Sequence, residues 1–161
     1  MARGKQFEKD FSDSFGADCF CYRLIDSPGA WAGGKTRFTP SNICDFIMFE
    51  NNISLFIELK SFTGKSIPFK NFRDKQINGL FEIERNRIGT LHGGFLLNFR
   101  DLSRTFFILA DAFYAIKEAS VRKSLSLQMA INSGVEISQK KKRVHFTYDI
   151  KEIFETCKKE Y

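Results

Sequence analysis

No apolar run in the sequence approaches the roughly 20 residues that a membrane-spanning helix needs. The first residues, MARGKQFEKDF, also lack the apolar segment of a secretion signal, so we expect a cytoplasmic protein that does not enter a membrane. Cysteine and histidine are scarce, at four and two residues. Cys19 and Cys21 form a close pair, but no second Cys/His pair completes a zinc site, so reduced thiols are expected.

Positive charge and phenylalanine, by contrast, are abundant. The chain of 161 residues carries 25 Lys and Arg against 19 Asp and Glu, and its 19 Phe favour a packed core. At this length about 68–70% of the unfolded surface becomes buried, which predicts one domain over residues 1–161. The net charge of +6 favours a polyanionic partner such as nucleic acid. Basic residues cluster at 140–143, which is typical of a solvated loop, and again at Lys65, Lys70, Arg73 and Lys75.

The hydrophobic pattern predicts an α/β fold, a mixed sheet flanked by helices. Phe residues recur every fourth position in a first helix over residues 3–15, which ends at Gly16. Strands are predicted at residues 19–25, 43–50, 53–60, 95–99, 105–110 and 144–148. Further helices are predicted at residues 71–88, at 112–122 with Asp111 as cap, at 126–133 before Gly134, and after an Asp149 cap. Residues 26–42 are rich in Gly and Pro and are expected to form a long loop.

The segment DFIMFENNISLFIELK places two acids inside a predicted hairpin. Asn tolerates positive φ, so Asn51-Asn52 suits a two-residue turn. Glu50 then pairs with Ile53, and counting outward brings Asp45 opposite Glu58. Side chains opposite each other on one sheet face lie about 4.5–5.5 Å apart at Cβ. The register therefore predicts that two carboxylates meet.

Two like charges in direct opposition are destabilising, so one carboxylate must take a proton or a cation must lie between them. Mg²⁺ favours one or two carboxylates together with water and phosphate. Alternation puts Lys60 on the face of Glu58. The alternative interpretation is an exposed sheet face on which Lys60 serves as a salt-bridge partner. The apolar neighbours on that face argue against a simply polar surface; they are Ile43, Ile47 and Phe56.

Two more polar residues lie next to apolar stripes. Glu8 shares a helix side with Phe11 and Phe15, and Gln76 lies between Phe72 and Leu80. Each residue alone is more typical of a boundary position. Taken together with the hairpin acids, Glu8 and Gln76 are candidates for one cation site.

The pattern of Asp45 followed by Glu58-x-Lys60 resembles the PD-(D/E)xK nuclease motif. More of the chain is similar to one member family, the RecU-type Holliday junction resolvases of bacteria and their phages. The similar stretches, in order, are RGKQFEKDF, CDFIMF, FIELKSFTGKSIPFKNFRDKQI, HGGFLLNF, FILADAF and RKSLSLQMAINSG. The ordered series is far more specific than any one of its pieces.

The resemblance implies a restriction-endonuclease-like mixed sheet and a Mg²⁺-dependent endodeoxyribonuclease, with Mn²⁺ as a substitute ion. It implies that Asp45, Glu58 and Glu8 are metal ligands, that Lys60 is the catalytic lysine, and that Gln76 is the glutamine on the following helix. It also implies a homodimer that cuts both scissile strands of a four-way DNA junction and leaves 5′-phosphate and 3′-hydroxyl ends.

Two departures from the family pattern concern the substrate more than the chemistry. Residues 26–42 stand where family members carry a stalk that enters the junction, and here they are short and Gly-rich. Ile43-Cys44 stands where the family tends to have small hydroxyl residues. The residues expected to contact DNA are Arg3, Trp31, Lys35, Arg37, Lys65, Lys70, Arg73 and Lys75. The alternatives are a PD-(D/E)xK nuclease for other branched or linear DNA, a sequence-specific endonuclease, and a non-catalytic DNA-binding module.

Overall fold

The computed structural model describes residues 3–25, 42–86 and 88–158. Five α-helices lie in these ranges: α1 (Arg3–Ser12), α2 (Asp74–Asn86), α3 (Ala110–Ala119), α4 (Leu127–Ser133) and α5 (Ile150–Lys158). The strands are β1 (Phe20–Arg23), β2 (Phe46–Glu50), β3 (Ile53–Phe62), β4 (Ser66–Pro68), β5 (Leu91–Phe99), β6 (Arg104–Leu109), β7 (Ser124–Ser126), β8 (Val135–Glu136), β9 (Gln139–Lys142) and β10 (His145–Tyr148). Short 3₁₀ turns occupy Phe69–Asn71 and Arg100–Leu102.

A six-stranded sheet in the order β1-β2-β3-β5-β6-β8 forms the centre of the fold. Strands β3 and β5 are parallel, and the other neighbours are antiparallel. Helices α1 and α5 contribute to the apolar cluster on one face of the sheet, and α2, α3 and α4 to the cluster on the other. The predicted α/β fold with a mixed sheet is therefore confirmed. None of the helices in the described ranges is long and apolar enough to cross a membrane.

The hairpin between β2 and β3 forms as the sequence predicts. Asn51 and Asn52 both have positive φ, at 47° and 69°, as a two-residue turn of this kind requires. Glu50 pairs with Ile53, and the register continues to the pair Phe46–Ile57. The predicted pairing is therefore confirmed as far as that last pair.

Close packing of α2 on β5 depends on a glycine. A Cβ atom at Gly93 would lie 2.5 Å from the carbonyl oxygen of Leu80, so a larger residue would push the helix away from the strand. Strand β5 is buried from His92 to Phe99, as expected for a central strand that is covered on both faces. The helix that carries Gln76 is thereby fixed against the sheet.

Several predicted boundaries are wrong for identifiable reasons. Helix α1 ends at Ser12 rather than near Gly16, because Ser14 turns to donate to the carbonyl of Asp10 and to accept from the N–H of Tyr148. Helix α3 begins before Asp111, whose carboxylate accepts from Ala112 inside the first turn instead of capping it. The basic run at 140–143, predicted as a loop, contributes instead to strand β9 and the turn that follows it.

Other predicted features agree with the structure. Helix α4 has Ser126 as N-cap and Gly134 as C-cap. Asp149 accepts from the N–H of Lys151 at the start of α5, as a capping residue does. The predicted loop at residues 26–42 lies outside the described residues except for its last position, and Arg87, at the end of the predicted helix 71–88, is also outside them.

Candidate active site

Asp45 lies immediately before β2, between β1 and β3. Its carbonyl accepts from the N–H of Leu24 (2.8 Å), and its N–H donates to the carbonyl of Ile57 (3.0 Å). Because Ile57 already pairs with Phe46, two residues face one here, as in a β-bulge. Asp45 is therefore displaced from the regular position opposite Glu58 that the sequence predicts. Its Oδ2 accepts instead from the backbone N–H of Leu59 (2.8 Å).

Glu58 is the buried centre of the site. Only 1% of the residue is exposed, and its side chain points to the face of the sheet covered by α2. Its Oε1 accepts from Lys60 Nζ at 2.6 Å and from Gln76 Nε2 at 2.7 Å. Among the described residues its Oε2, which is also buried, has no hydrogen-bond partner. Within the described part of the chain, the protein thus satisfies one of the two carboxylate oxygens and not the other.

Gln76 owes its orientation to its place in the first turn of α2. The carbonyl of Arg73 accepts from the N–H groups of Gln76 and Ile77, which opens the helix. The Gln76 Oε1 in turn accepts from the N–H of Arg73 at 3.3 Å, in the manner of a capping box. This bond leaves the amide nitrogen to donate to Glu58. Helix capping and support of the carboxylate are two uses of one side chain.

The electrostatics of the site disfavour a second negative charge. Burial is the main cause of a rise in the pKa of Glu58 to about 7, and the charge of Asp45 contributes further. Lys60 and Gln76 act in the opposite direction. Burial also raises the pKa of the Cys44 thiol to about 12, and the charges of Glu58 and Asp45 add to that rise. The charge conflict that the sequence predicts is therefore present in the fold.

Glu8 takes another partner in the structure. Its carboxylate accepts a hydrogen bond from the guanidinium of Arg23, the last residue of β1. Arg23 pairs with Phe46, the neighbour of Asp45, so Glu8 is tied to the strand that borders the site. Within the described ranges, no three His, Cys, Asp or Glu side chains are grouped closely enough to hold a metal ion. Nothing in the sequence indicated this arginine partner, and the role of Glu8 as a metal ligand stays a prediction.

Sequence reasoning missed Arg23 because an isolated basic residue at a strand end gives no local signal. It also missed a buried polar chain beyond Lys60, in which Ser61 donates to Asn98 and Asn98 donates to Thr105. The sequence signals for this hydrogen-bonded chain were the alternating pattern of β3 and the presence of Asn98 in an otherwise apolar strand. These bonds tie the end of the strand that carries Glu58 and Lys60 to β5 and β6.

The predicted DNA-contact residues divide into three groups. Four are exposed along the segment from just before β4 to the first turn of α2: Lys65, Lys70, Arg73 and Lys75. Arg3 begins α1, and its side chain is outside the described part of the structure. Trp31, Lys35 and Arg37 lie outside the described residues. Their contacts with DNA stay predictions.

Comparison with known proteins identifies both a family and a fold. Residues 33–152, more than half of the chain, match the family model of RecU, described as recombination protein U. Among solved structures the chain is similar to Hjc of Archaeoglobus fulgidus, described as a Holliday junction resolvase from an archaeal hyperthermophile. The TM-score is 0.53 at 15% identity, over 83% of this chain and 95% of Hjc. No curated protein matches the sequence. The likeness to Hjc confirms the predicted nuclease fold.

Proposed function

Because the chain belongs to the RecU family of Holliday junction resolvases, we propose that it cleaves four-way DNA junctions by phosphodiester hydrolysis. The observation that carries this proposal is the arrangement around Glu58. One oxygen of this buried carboxylate accepts hydrogen bonds from a lysine and a glutamine. The second oxygen has no hydrogen-bond partner among the described residues, and the charge of Asp45 is close enough to affect the pKa of Glu58. In a nuclease fold, this set suits attack on a phosphate.

The donor set fits a hard divalent cation. Asp45 and Glu58 offer carboxylate oxygens in a place where their mutual repulsion opposes full ionisation, and a cation would remove that conflict. Glu8 would join them on release from Arg23. We propose Mg²⁺, with Mn²⁺ as a substitute. When bound, it would polarise the scissile phosphate and lower the pKa of a water molecule.

The side chains of the protein have separable roles in this proposal. Gln76 and the N–H of Leu59 each fix one oxygen of a carboxylate, so that Glu58 and Asp45 are oriented before substrate arrives. Lys60 is partly exposed, at 24% of its side chain, and therefore can reach substrate while it neutralises Glu58. Its ammonium group would orient the attacking water and stabilise charge on the phosphate oxygens in the transition state.

We further propose that the protein acts as a C₂ homodimer in the cytoplasm, where the cell's DNA is. A four-way junction has two equivalent scissile strands, and a C₂ dimer with one site per subunit matches that symmetry. The dimer would introduce paired nicks in DNA recombination and repair or in phage DNA processing. A single domain over residues 1–161, with residues 26–42 as a reduced stalk, would be sufficient for this.

The test compares a synthetic four-way junction with a flap and a linear duplex of the same sequence. Each is incubated with the protein in Mg²⁺, in Mn²⁺ and in a chelator. Resolution of the junction into nicked duplexes in either metal, and none in chelator, is the expected result. Equal cutting of all three DNAs would favour a general PD-(D/E)xK nuclease. Binding without cutting in any metal would favour a non-catalytic module.

A further inference from the structure

The surface of this molecule also contains a cavity whose charged lining residues are all basic. Next to the β4–β7 ribbon lies a cavity of about 610 Å³, and its lining contains four basic residues and no acid: Pro68, Phe69, Lys70, Lys117, Ser120, Arg122 and Lys123. A cavity of about 560 Å³ beside α5, by contrast, is lined by Asp18, Glu50 and Asp149 as well as by lysines. Of these two cavities, only the one beside the ribbon therefore has the positive charge expected of an anion-binding site.

The basic cavity has a fixed frame. Strands β4 and β7 pair antiparallel, and their central residues Ile67 and Leu125 are buried. The N–H of Phe69 donates to the carbonyl of Lys123 at 3.1 Å, so the backbone on the two sides of the cavity is joined directly. The aromatic ring of Phe69 packs edge-on against Phe113 of α3. Basic side chains thus extend from backbone that is anchored to the core, not from an isolated loop.

The cavity lies along the chain segment that connects the two halves of the candidate active site. Strand β3 carries Glu58 and Lys60, and the chain then passes through β4 and the 3₁₀ turn to reach Gln76. Lys70 precedes Gln76 by six positions, so the two are at most about 22 Å apart at about 3.6 Å per residue. One turn of B-DNA covers about 34 Å. A DNA strand held at the active site is therefore long enough to reach the cavity as well.

The charge of the cavity is not neutralised from within. Lys117 lies 3.3 Å from Glu118, but that pair is partly exposed, and Glu118 does not line the cavity. Lys117 also occupies the last turn of α3, where a cation offsets the negative end of the helix dipole. Lys70, Arg122 and Lys123 are exposed. Several cations therefore face one opening, and polyanionic phosphate is the complementary ligand.

We propose that this cavity binds phosphate groups of a DNA arm that leads into the active site. The inference rests on the proposed function, since it identifies part of the substrate path of the same nuclease. It adds Lys117 of α3, and Arg122 and Lys123 just before β7, to the residues proposed to hold DNA. The contacts would be to the sugar-phosphate backbone, so they would position the junction without reading its sequence.

The test removes two charges at the cavity and two elsewhere. Arg122→Gln with Lys123→Gln is compared with the matched pair Lys140→Gln with Lys142→Gln, which lies on the exposed β9–β10 hairpin. Both pairs change the net charge equally. Binding of a four-way junction is measured in chelator over a salt series, and cutting is measured separately in Mg²⁺. Thermal unfolding confirms that all variants are folded.

The expected result is a change in salt dependence that is specific to the cavity. The slope of log affinity against log salt should become shallower by about 1.8 for two lost phosphate contacts, and by less than half of that in the hairpin pair. Equal changes in the two pairs, or no change in the cavity pair, would overturn the inference while leaving wild-type cutting intact. A wild-type protein that binds DNA but never cuts would contradict the proposed function alone. A wild-type protein that binds no DNA would overturn both.

Discussion

Asp45 can lose its charge without losing its hydrogen bond. An Asn at this position is nearly isosteric, and its carbonyl oxygen can still accept from the N–H of Leu59. For Asp45→Asn we therefore expect an intact fold, cleavage reduced by orders of magnitude, and junction binding that is retained or tighter because a negative charge near the phosphates is gone. The measurements are single-turnover cleavage at matched Mg²⁺ and a binding titration on the same junction. Cutting at the wild-type rate would remove Asp45 from the site.

Burial of the Glu58 carboxylate lowers the free energy of unfolding, and the direction of its pKa shift determines the pH range in which it does so. Its pKa rises from an ordinary 4.5 to about 7 on folding, mainly through burial. Between these values the folded state binds more protons than the unfolded state, so the free energy of unfolding should fall as pH rises from 4.5 to 7 and then level off. A shift of this size corresponds to at most about 3 kcal/mol.

Glu58→Gln removes the titrating group and keeps the shape. In chelator, this variant should be more stable than wild type at pH 8 by up to about 3 kcal/mol, should lose most of the pH dependence, and should not cut DNA. Denaturant unfolding from pH 5 to 8 makes the comparison. Glu82→Gln, a change at an exposed position on α2, is the control and should retain the wild-type profile. Parallel curves for wild type and Glu58→Gln would show that burial of this carboxyl carries no such cost.

At the scale of elements, the sequence predicted the features that adjacent residues determine. The Asn51-Asn52 turn fixes the register of its own hairpin, so the proximity of Asp45 and Glu58 follows from a few adjacent residues. The bulge at Asp45 could not be predicted, because it depends on β1 as a third strand. The pairing of Glu8 with Arg23 joins two elements by side chains alone, and the short ribbon strands exist only because a distant segment pairs with them.

Glycine at position 93 couples the packing of α2 to the candidate active site. Gly93→Ala places a Cβ 2.5 Å from the carbonyl oxygen of Leu80, so α2 must move outward and take Gln76 away from Glu58. We expect a loss of about 1–3 kcal/mol in unfolding free energy and reduced cleavage. Gly4→Ala is the control: its Cβ would meet nothing within 4 Å, and Ala favours the helix. Equal stability of the two variants would contradict this account of the packing.

Residues 26–42 are the element that the resemblance marks as a reduced stalk, and they lie outside the described residues except for Asn42. Trimming residues 29–37 to a short Gly-Ser turn should leave the strands and α2 in place. If Trp31 stacks on an unpaired base, junction binding should lose about 1–3 kcal/mol relative to duplex. The salt slope should also become shallower with loss of Lys35 and Arg37. An unchanged junction-to-duplex ratio over a salt series would place selectivity elsewhere.

At the scale of the whole molecule, the net charge of +6 favours contact with the phosphate groups of DNA. Phosphate contacts from basic residues position a protein without sequence information. Selection of a junction therefore has to come from geometry, and the proposed C₂ dimer would supply that geometry by setting the spacing of two sites. In this proposal one chain would account for a nick in one strand, whereas resolution of a junction needs two nicks.

Mixing wild-type and Asp45→Asn subunits tests the dimer directly. After exchange at equal amounts, about half of all dimers should contain one active and one inactive site. On a supercoiled plasmid with an extruded cruciform, a wild-type dimer should cut both strands during one encounter and give linear DNA. A mixed dimer should cut one strand and give a nicked circle, because relaxation reabsorbs the cruciform before a second protein binds. The nicked fraction should therefore rise and the linear fraction fall with added Asp45→Asn. A monomeric enzyme would instead keep the ratio of the two products constant while total cutting fell only by dilution.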